Sequence, residues 1–264
     1  MAARGARRAG GPALAVTYLS LLVILPVAAV FSNAFVGGWG AFWREVWSSE
    51  SLAALELTFE CALGVAAFNS VAGLAVAWVL VRDEFPGKRV VSAVIDLPFA
   101  LPTIVAGLTL LSLYGPGGPF GINVADTQLG ILFALAFVTL PFCVRSVQPV
   151  LAALDRESEE AAASLGARPP TVLRRVVLPG LAPAMLSGAG LAFARAVSEF
   201  GSVVLISGNL PFKTQVASAW IYNLSQSDDL PAAAAVSSVL IVAALVVLLV
   251  IGLVRRRFDV EDAR

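Results

Sequence analysis

The sequence contains no histidine and only two cysteines among its 264 residues. Without histidine, the chain lacks the commonest metal ligand and the side chain that carries protons near neutral pH. Cys61 and Cys143 both fall in long apolar runs, where we expect small packing residues rather than a disulfide or a metal pair. Because no nucleophile–base set or cluster of metal ligands is present, we expect neither a catalytic site nor a metal site on this chain.

A phosphate-binding loop of the form Gly-x4-Gly-Lys-Ser/Thr is also missing from the sequence. If the protein works against a gradient, its energy source therefore has to lie on another chain. We expect no cofactor on this chain.

Charge is scarce as well: 14% of the residues are charged, whereas 58% are hydrophobic. A soluble domain of this size rarely has so little charge, so lipid must be the solvent for much of the chain. The apolar runs are continuous rather than alternating, which favours helices over a barrel. Since a spanning helix needs about 20 mostly apolar residues, we predict six spans, at about 13–34, 57–81, 91–113, 129–150, 181–206 and 233–254.

The basic residues lie mostly on one side of these predicted spans. The opposite connections hold only Arg44 and Lys213. The positive-inside rule then places both termini in the cytoplasm. The predicted organisation is a cytoplasmic tail at 1–12, a six-helix transmembrane domain at 13–254 with a polar segment at about 155–180, and a cytoplasmic tail at 255–264. The basic residues on the cytoplasmic side are Arg4, Arg7, Arg8, Arg82, Lys88, Arg89, Arg156, Arg168, Arg174, Arg175, Arg255, Arg256, Arg257 and Arg264.

The N-terminal run has a weaker alternative interpretation as a secretory signal, with 32–34 as a loose cleavage site. The run is long and five further spans follow, which favours an uncleaved first helix. The external connections, including the one at about 207–232, are too short to form a solute-binding domain. If the protein captures a scarce solute, another polypeptide has to do the capturing.

The polar segment 155–180 has the signals of a helix, a tight bend and a second helix. Asp155 is placed to cap a helix whose first turn is acidic, which suits the positive end of the helix dipole. Gly166 is placed to end that helix, and the two prolines at 169–170 prevent its direct continuation. We predict a second short helix at about 171–178 that runs into Pro179.

One face of the first of these helices carries small residues. Ala161, Ala162 and Leu165 lie on that face beside Glu160, and small side chains permit close approach by a partner surface. An alternative is an amphipathic connector resting on lipid headgroups. The neighbouring glutamates disfavour contact with an anionic membrane surface.

At this point the residues resemble a known family. Glu160-Ala161-Ala162, three residues, Gly166, nine residues, Val176, one residue and Leu178-Pro179 resemble the signature of ABC-importer permease subunits, with valine where the family usually has isoleucine. The resemblance implies an all-α membrane protein with six spans, the type I ABC importer permease fold, and a cytoplasmic coupling helix that docks into a cleft of an ATPase. The ATPase-coupling residues that it implies are Glu160, Ala161, Ala162, Leu165 and Gly166.

Other segments narrow the resemblance to the sulfate/molybdate transporter family. Residues 96–103 (DLPFALPT), 105–108 (VAGL) and 141–150 (PFCVRSVQPV) resemble its permeases. The runs FAR, EFGSVV, SGN and KT are most similar to the T-type permease of the sulfate/thiosulfate branch, at 193–195, 199–204, 207–209 and 213–214. Ser198 departs from the family, in which glycine usually precedes the glutamate.

The resemblance further implies partners and a mechanism. The expected partners are a cytoplasmic ABC ATPase dimer that binds ATP and Mg, a second permease subunit (a related chain or a second copy), an extracytoplasmic sulfate-binding protein and the lipid bilayer of the inner membrane. No nucleic-acid partner is expected. The implied function is import of sulfate or thiosulfate by alternating access. Molybdate or tungstate is the alternative substrate, and a secondary anion transporter or a channel is the alternative class.

Two charges fall inside the predicted fifth span. Arg195 and Glu199 are four residues apart and so share a helical face. A lone charge at a helix centre costs roughly 2.5–3.5 kcal/mol on insertion scales, so such groups usually face protein or water. Either the two residues neutralise each other or neighbouring partners, or Arg195 adds positive potential to an anion pathway and Glu199 takes part in a gate. With Ser202 they are our candidates for the pathway or its gate.

Two further polar residues have simpler expected roles. Asp96 is expected to lie near the cytoplasmic start of the third span, where capping of a helix is as plausible as a transport role. Asn69 is expected to form a hydrogen bond between helices, which contributes about 1 kcal/mol.

Overall fold

The computed structural model describes the chain at residue 14 and over residues 16–261. The predicted tail at 1–12, the first residue of the predicted first span and the last three residues lie outside the described part. Every regular element within the described part is a helix. The helices are α1 Val16–Ala34, α2 Gly38–Val46, α3 Ser49–Arg82, α4 Lys88–Ala100, α5 Thr103–Tyr114, α6 Gln128–Ala153, α7 Arg156–Ser164, α8 Pro169–Val197, α9 Gly201–Ile206, α10 Ala217–Gln226 and α11 Leu230–Glu261.

Five of these helices are long and apolar enough to cross a membrane, namely α1, α3, α6, α8 and α11. The third predicted span is instead a pair of helices, α4 and α5, whose axes differ by 117°. The break falls at Leu101 and Pro102, which are both extended. A residue before proline is pushed away from helical geometry, and proline has no N–H to continue the ladder. The apolar run predicted as the third span is therefore helical but broken, and it makes a sixth span when the bent pair is counted as one.

The fifth predicted span also differs from expectation at both ends. Its helix α8 starts at the first proline of the pair 169–170 and continues past Pro179, so the predicted separate helix at 171–178 does not exist. A wide π turn at Leu173–Val177 lies just before Pro179. Such a turn relieves the clash between a proline ring and the preceding turn. At its other end α8 stops at Val197, and the chain resumes a helix only at Gly201.

The chain divides into two compact units. The first comprises the described residues up to Leu52 together with Trp220–Val242. Its apolar core contains Phe42 and Val46 of α2, which pack with Ala34 of α1 and with Ala234 and Ala235 of α11.

The second unit comprises Ala53–Ala219 and the chain from Ala243 onward. Helix α6 is central to it and packs along α8 and α3. Asn69 of α3 donates hydrogen bonds to Ala136 O at 2.9 Å and to Thr139 Oγ1 at 2.8 Å, both on α6. The predicted interhelical hydrogen bond is thus confirmed. Cys61 and Cys143 are both buried and unpaired, as expected of packing residues.

Glycine allows α5 and α9 to touch through their backbones. A Cβ added at Gly107 would lie 2.6 Å from the backbone oxygen of Ser202.

We therefore expect Gly107→Ala to destabilise the fold by about 1–3 kcal/mol, as overpacking usually does. Thermal unfolding of the detergent-solubilised chain measures this. Gly64→Ala is the matched control, because no atom lies within 4 Å of its added Cβ and alanine is the better helix former. Equal loss in both variants would contradict the close-contact explanation.

Candidate functional site

The three residues proposed for the pathway or its gate meet at the gap between α8 and α9. Glu199 lies in this gap, and its side chain is only 1% exposed. Its Oε1 accepts hydrogen bonds from the backbone N–H and from the hydroxyl of Ser202, both at 2.9 Å. The carboxylate therefore caps the first turn of α9, where the backbone N–H groups are otherwise unpaired and favour a negative charge.

Arg195 completes this group from the last turn of α8. Its Nη2 lies 3.0 Å from Glu199 Oε2, and its side chain is 36% exposed. The structure thus brings the three candidates together, although Glu199 lies beyond the end of the helix that carries Arg195. The two charges occupy different environments, since the carboxylate is enclosed and already bonded twice, whereas a third of the arginine side chain remains accessible.

The breaks of the third and fifth spans meet beside this group. A Cβ added at Gly201 would lie 2.3 Å from Thr103 Oγ1 and 3.0 Å from Ile104 N. The start of α9 is therefore in direct contact with the start of α5. Two interrupted spans that touch at their interruptions leave irregular backbone at membrane depth, which is tolerated where protein covers it or where it lines a cavity.

A second charged cluster joins α4 to α6 and was not among the contacts predicted from the sequence. Arg145 Nε donates to Asp96 Oδ1 at 2.8 Å, and Arg145 Nη2 donates to Ser92 Oγ at 2.9 Å. Gln148 also accepts from Arg145. Asp96 is in the second half of α4, whose N-cap is Gly87, so the capping role considered for Asp96 is wrong. The requirement that charges inside spans be paired indicates that Arg145 and Asp96 need partners, but it does not identify those partners.

The polar segment 155–180 has the predicted helix and bend. Asp155 Oδ1 accepts from the Glu157 N–H at 2.9 Å and caps α7. Gly166 has φ of +84°, its N–H bonds Ala163 O at 2.9 Å, and the Ala167 N–H bonds Ala162 O at 3.1 Å. These two bonds define a Schellman ending, in which a left-handed residue stops the helix.

The residues singled out on α7 are largely accessible. Leu165 is 90% exposed, more than any other large hydrophobic residue in the part of the chain that the structure describes. Glu160, Ala161 and Gly166 are also exposed, and Ala162 is partly buried. An open groove runs beside them and is lined by Trp78, Glu160, Ala163, Ala167, Pro170 and Leu173. An exposed leucine next to small residues and a groove is a surface suited to contact with another protein.

An ion pair joins this segment to the end of α3. Arg82 forms a salt bridge with Glu159 of α7, and both side chains are mostly buried. The Arg82 guanidinium also lies 5.5 Å from the centre of the Trp78 ring, within the range of a cation–π contact. We call the pair Arg82–Glu159 the brace. No local pattern in the sequence predicts the brace, because its two residues are 77 positions apart in the chain.

Several apolar spans, two of them interrupted, together with a polar helix and bend outside the spans, define a multi-pass membrane protein of the permease class. The chain belongs to the family of binding-protein-dependent transport system inner membrane components, whose model matches residues 69–260.

Relatives and solved structures agree with this assignment. The chain is 44% identical over 248 residues to the sulfate transport system permease protein CysT of Synechocystis sp., covering 91% of this chain and 87% of that protein. It is 43% identical over 248 residues to CysT of Salmonella typhimurium, covering 91% and 90%. The crystal structure of a bacterial ABC transporter involved in the import of the acidic polysaccharide alginate matches with a TM-score of 0.79 at 16% identity, over 96% of both chains. The predicted all-α fold of a type I ABC importer permease is confirmed.

Proposed function

We propose that this chain is the transmembrane subunit of an ATP-driven importer of sulfate or thiosulfate in the inner membrane. The observation that carries the proposal is the extended identity, over 91% of the chain, to permeases named for sulfate transport. The molybdate alternative has no such support. In this proposal the chain itself catalyses no reaction, and a separate ATPase dimer binds ATP and Mg.

The proposed topology puts both termini and the polar segment 155–180 in the cytoplasm. The uneven distribution of lysine and arginine supports this orientation. A second permease subunit then completes the pathway, and an extracytoplasmic binding protein delivers the anion from the other side. The short connections opposite the polar segment leave the capture of the solute to that separate protein.

We further propose that α7 and its bend dock into the ATPase. The exposed surface formed by Glu160, Ala161, Ala162, Leu165 and Gly166 supports this role. The brace gives the docked segment a direct connection to α3. Movement of the ATPase subunits would therefore displace a spanning helix as well as the polar segment.

For the pathway we propose Arg195, Glu199 and Ser202, which meet where two interrupted spans are in contact. The accessible part of Arg195 supplies positive potential for a doubly charged anion. Neutralisation by Glu199 keeps that potential modest, so that the anion can leave as well as enter.

Uptake by proteoliposomes tests the proposed function. The purified complex, with its ATPase and binding protein, is expected to accumulate labelled sulfate only when ATP is inside the compartment that the ATPase faces. Unlabelled thiosulfate should compete, and molybdate should compete weakly. Uptake that persists without nucleotide would exclude the ATP-driven importer, and preferential uptake of molybdate would exclude the sulfate assignment.

The brace gives a prediction of its own. Arg82→Gln or Glu159→Gln leaves one mostly buried charge unpaired, which is costly. We expect the sulfate transported per ATP hydrolysed to fall several-fold in each, and the charge exchange Arg82→Glu with Glu159→Arg to recover part of it. Parallel measurements of uptake and ATP hydrolysis give this ratio.

An exposed ion pair on the neighbouring connection is the matched control for the brace. Lys88 Nζ lies 2.9 Å from Glu84 Oε1, and the Glu84 side chain is 88% exposed. Since exposed pairs of this spacing contribute only about 0.3–0.5 kcal/mol, Lys88→Gln should leave the ratio unchanged. An unchanged ratio in the Arg82 and Glu159 variants would contradict a role for the brace in coupling.

A further inference from the structure

Helix α2 carries a stripe of exposed tryptophans that the proposed function does not use. Trp39 and Trp43 lie in α2 and Trp47 is its C-cap residue. These are three of the five tryptophans of the chain, and each follows the previous one after four residues. Their side chains are 67%, 44% and 64% exposed. At about 100° of rotation per helical residue, the three indoles fall within an arc about 80° wide. We call these three residues the tryptophan stripe.

The other faces of α2 are occupied differently. Phe42 and Val46 flank the tryptophan stripe and are buried in the apolar core of the first unit. Glu45 lies on the far side of the helix and Arg44 lies between Glu45 and Trp47 around the axis. Both charged residues line a small polar notch with Asp229. The apolar and charged surfaces of α2 are therefore separated around its axis, as in helices that lie along a membrane surface.

The stripe is held in a continuous set of aromatic contacts. The ring centres of Phe35 and Trp39 are 4.7 Å apart, those of Phe42 and Trp43 are 5.0 Å apart, and those of Trp43 and Trp47 are 6.1 Å apart. Within the part of the chain that the structure describes, the indole N–H groups of the stripe donate no hydrogen bond. Each indole therefore presents an apolar ring and an available polar N–H at the same surface.

The position of α2 along the chain sets its depth. Helix α1 is long enough to cross a membrane and ends at Ala34, and α2 starts at Gly38. Exposed apolar side chains continue from α1 through Val36 to the stripe. The stripe thus adjoins the lipid-accessible surface of a span at the point where that span leaves the membrane.

We propose that α2 is an interfacial helix whose tryptophan stripe lies in lipid, at the boundary between headgroups and acyl chains. Indole rings concentrate at this depth because the ring is apolar and the N–H remains near polar groups. The stripe carries no charge, and the charged residues of α2 lie outside its arc. A binding protein that docks on this end would meet Arg44, Glu45 and Asp229 instead. This contact with lipid fixes the depth of the first unit.

Site-directed spin labelling of the assembled complex in nanodiscs tests the proposal. Because Cys61 and Cys143 are both buried, a label reaches only an introduced cysteine when the partner subunits lack accessible thiols. The variants are Trp39→Cys, Trp43→Cys and Trp47→Cys, with Arg44→Cys as the matched control on the charged side of the same helix. Relaxation by oxygen, which partitions into lipid, is compared with relaxation by a water-soluble nickel chelate.

We expect the ratio of oxygen to nickel accessibility to be several-fold higher at the three tryptophan positions than at position 44. A ratio that favours nickel at all four positions would place the stripe in water and overturn the proposal. Low accessibility to both reagents at the stripe would show that a protein covers it and would also overturn the proposal.

A second measurement keeps the tryptophans in place. Lipid brominated near the headgroup should quench more fluorescence in the intact complex than in a complex with Trp39→Phe, Trp43→Phe and Trp47→Phe. Equal quenching, corrected for the number of tryptophans, would place the stripe outside lipid even if a cysteine variant fails to assemble.

Discussion

Replacing Gly166 with valine is expected to lower ATP-driven sulfate uptake by about tenfold or more while the chain still inserts into the membrane. Gly166 has φ of +84°, and an added Cβ would meet no atom within 4 Å. The effect is therefore conformational. Left-handed geometry is about 1–2 kcal/mol less favourable for a residue other than glycine, and it is less favourable still for a β-branched residue. A difference of 1.36 kcal/mol corresponds to a factor of about ten. Uptake normalised to the amount of membrane-inserted protein measures the loss.

The chain offers a matched control for this prediction in Gly87. Its φ is +88°, and no atom lies within 4 Å of an added Cβ. Gly87→Val thus introduces the same backbone strain, but in the connection between α3 and α4. We expect less than about a twofold loss of uptake, since this connection lies outside the proposed docking surface. Equal losses in the two variants would assign the effect to general destabilisation, and normal uptake in Gly166→Val would contradict the docking role.

The sequence was sufficient for the features that depend on local signals. Helix α7 begins at its cap Asp155 and ends at Gly166 as predicted, because a cap and a left-handed residue act within one helical turn. The length of the apolar runs predicted the five helices that are long enough to span a membrane, and the sixth predicted span corresponds to the bent pair of α4 and α5. The extra length of α3, which begins at Ser49 rather than near residue 57, was not predicted because its first turns are too polar to resemble a span.

The interruptions of the spans were harder to predict. Pro102 and Pro179 each follow a leucine within an apolar stretch. The helix breaks at the first of these prolines, between α4 and α5, whereas α8 passes through the second with a π turn. Proline alone does not decide between a kink, a wide turn and a break, because neighbouring helices determine which freed backbone groups are satisfied. The contact of α5 with α9 through Gly107 and Gly201 is the tertiary feature that the sequence did not reveal.

The charged contacts show the same limit. The spacing of Arg195 and Glu199 predicted that they share a face, and they form an ion pair. The pairs Arg82–Glu159 and Arg145–Asp96 join residues distant in the chain. For Arg145–Asp96, the need to balance charges within the membrane limits the number of possible partners. For Arg82–Glu159 the sequence offers no such limit, because only the packing of α3 against the polar segment brings the two residues together.

Arg195→Gln is expected to destabilise the fold more than Glu199→Gln does. Removing the arginine leaves a carboxylate that is 1% exposed without its cation, and breaking a buried pair in this way costs about 3–5 kcal/mol. Removing the carboxylate leaves an arginine that is 36% exposed and can regain water. The difference is measured by thermal unfolding, which is monitored through the reaction of a thiol dye with Cys61 and Cys143 as these buried residues become accessible. Equal destabilisation would contradict the asymmetry of the pair.

The double variant, Arg195→Gln with Glu199→Gln, separates stability from transport. It leaves no unpaired charge, and a glutamine oxygen at 199 can still accept from Ser202, so we expect most of the stability to return. Exchanging the two charges should not restore it, because an arginine at 199 cannot accept the two hydrogen bonds that Ser202 donates. If the accessible guanidinium supplies potential to the anion pathway, sulfate uptake by the stable double variant stays low. Recovery of both stability and uptake would instead make the pair structural and remove Arg195 from the pathway.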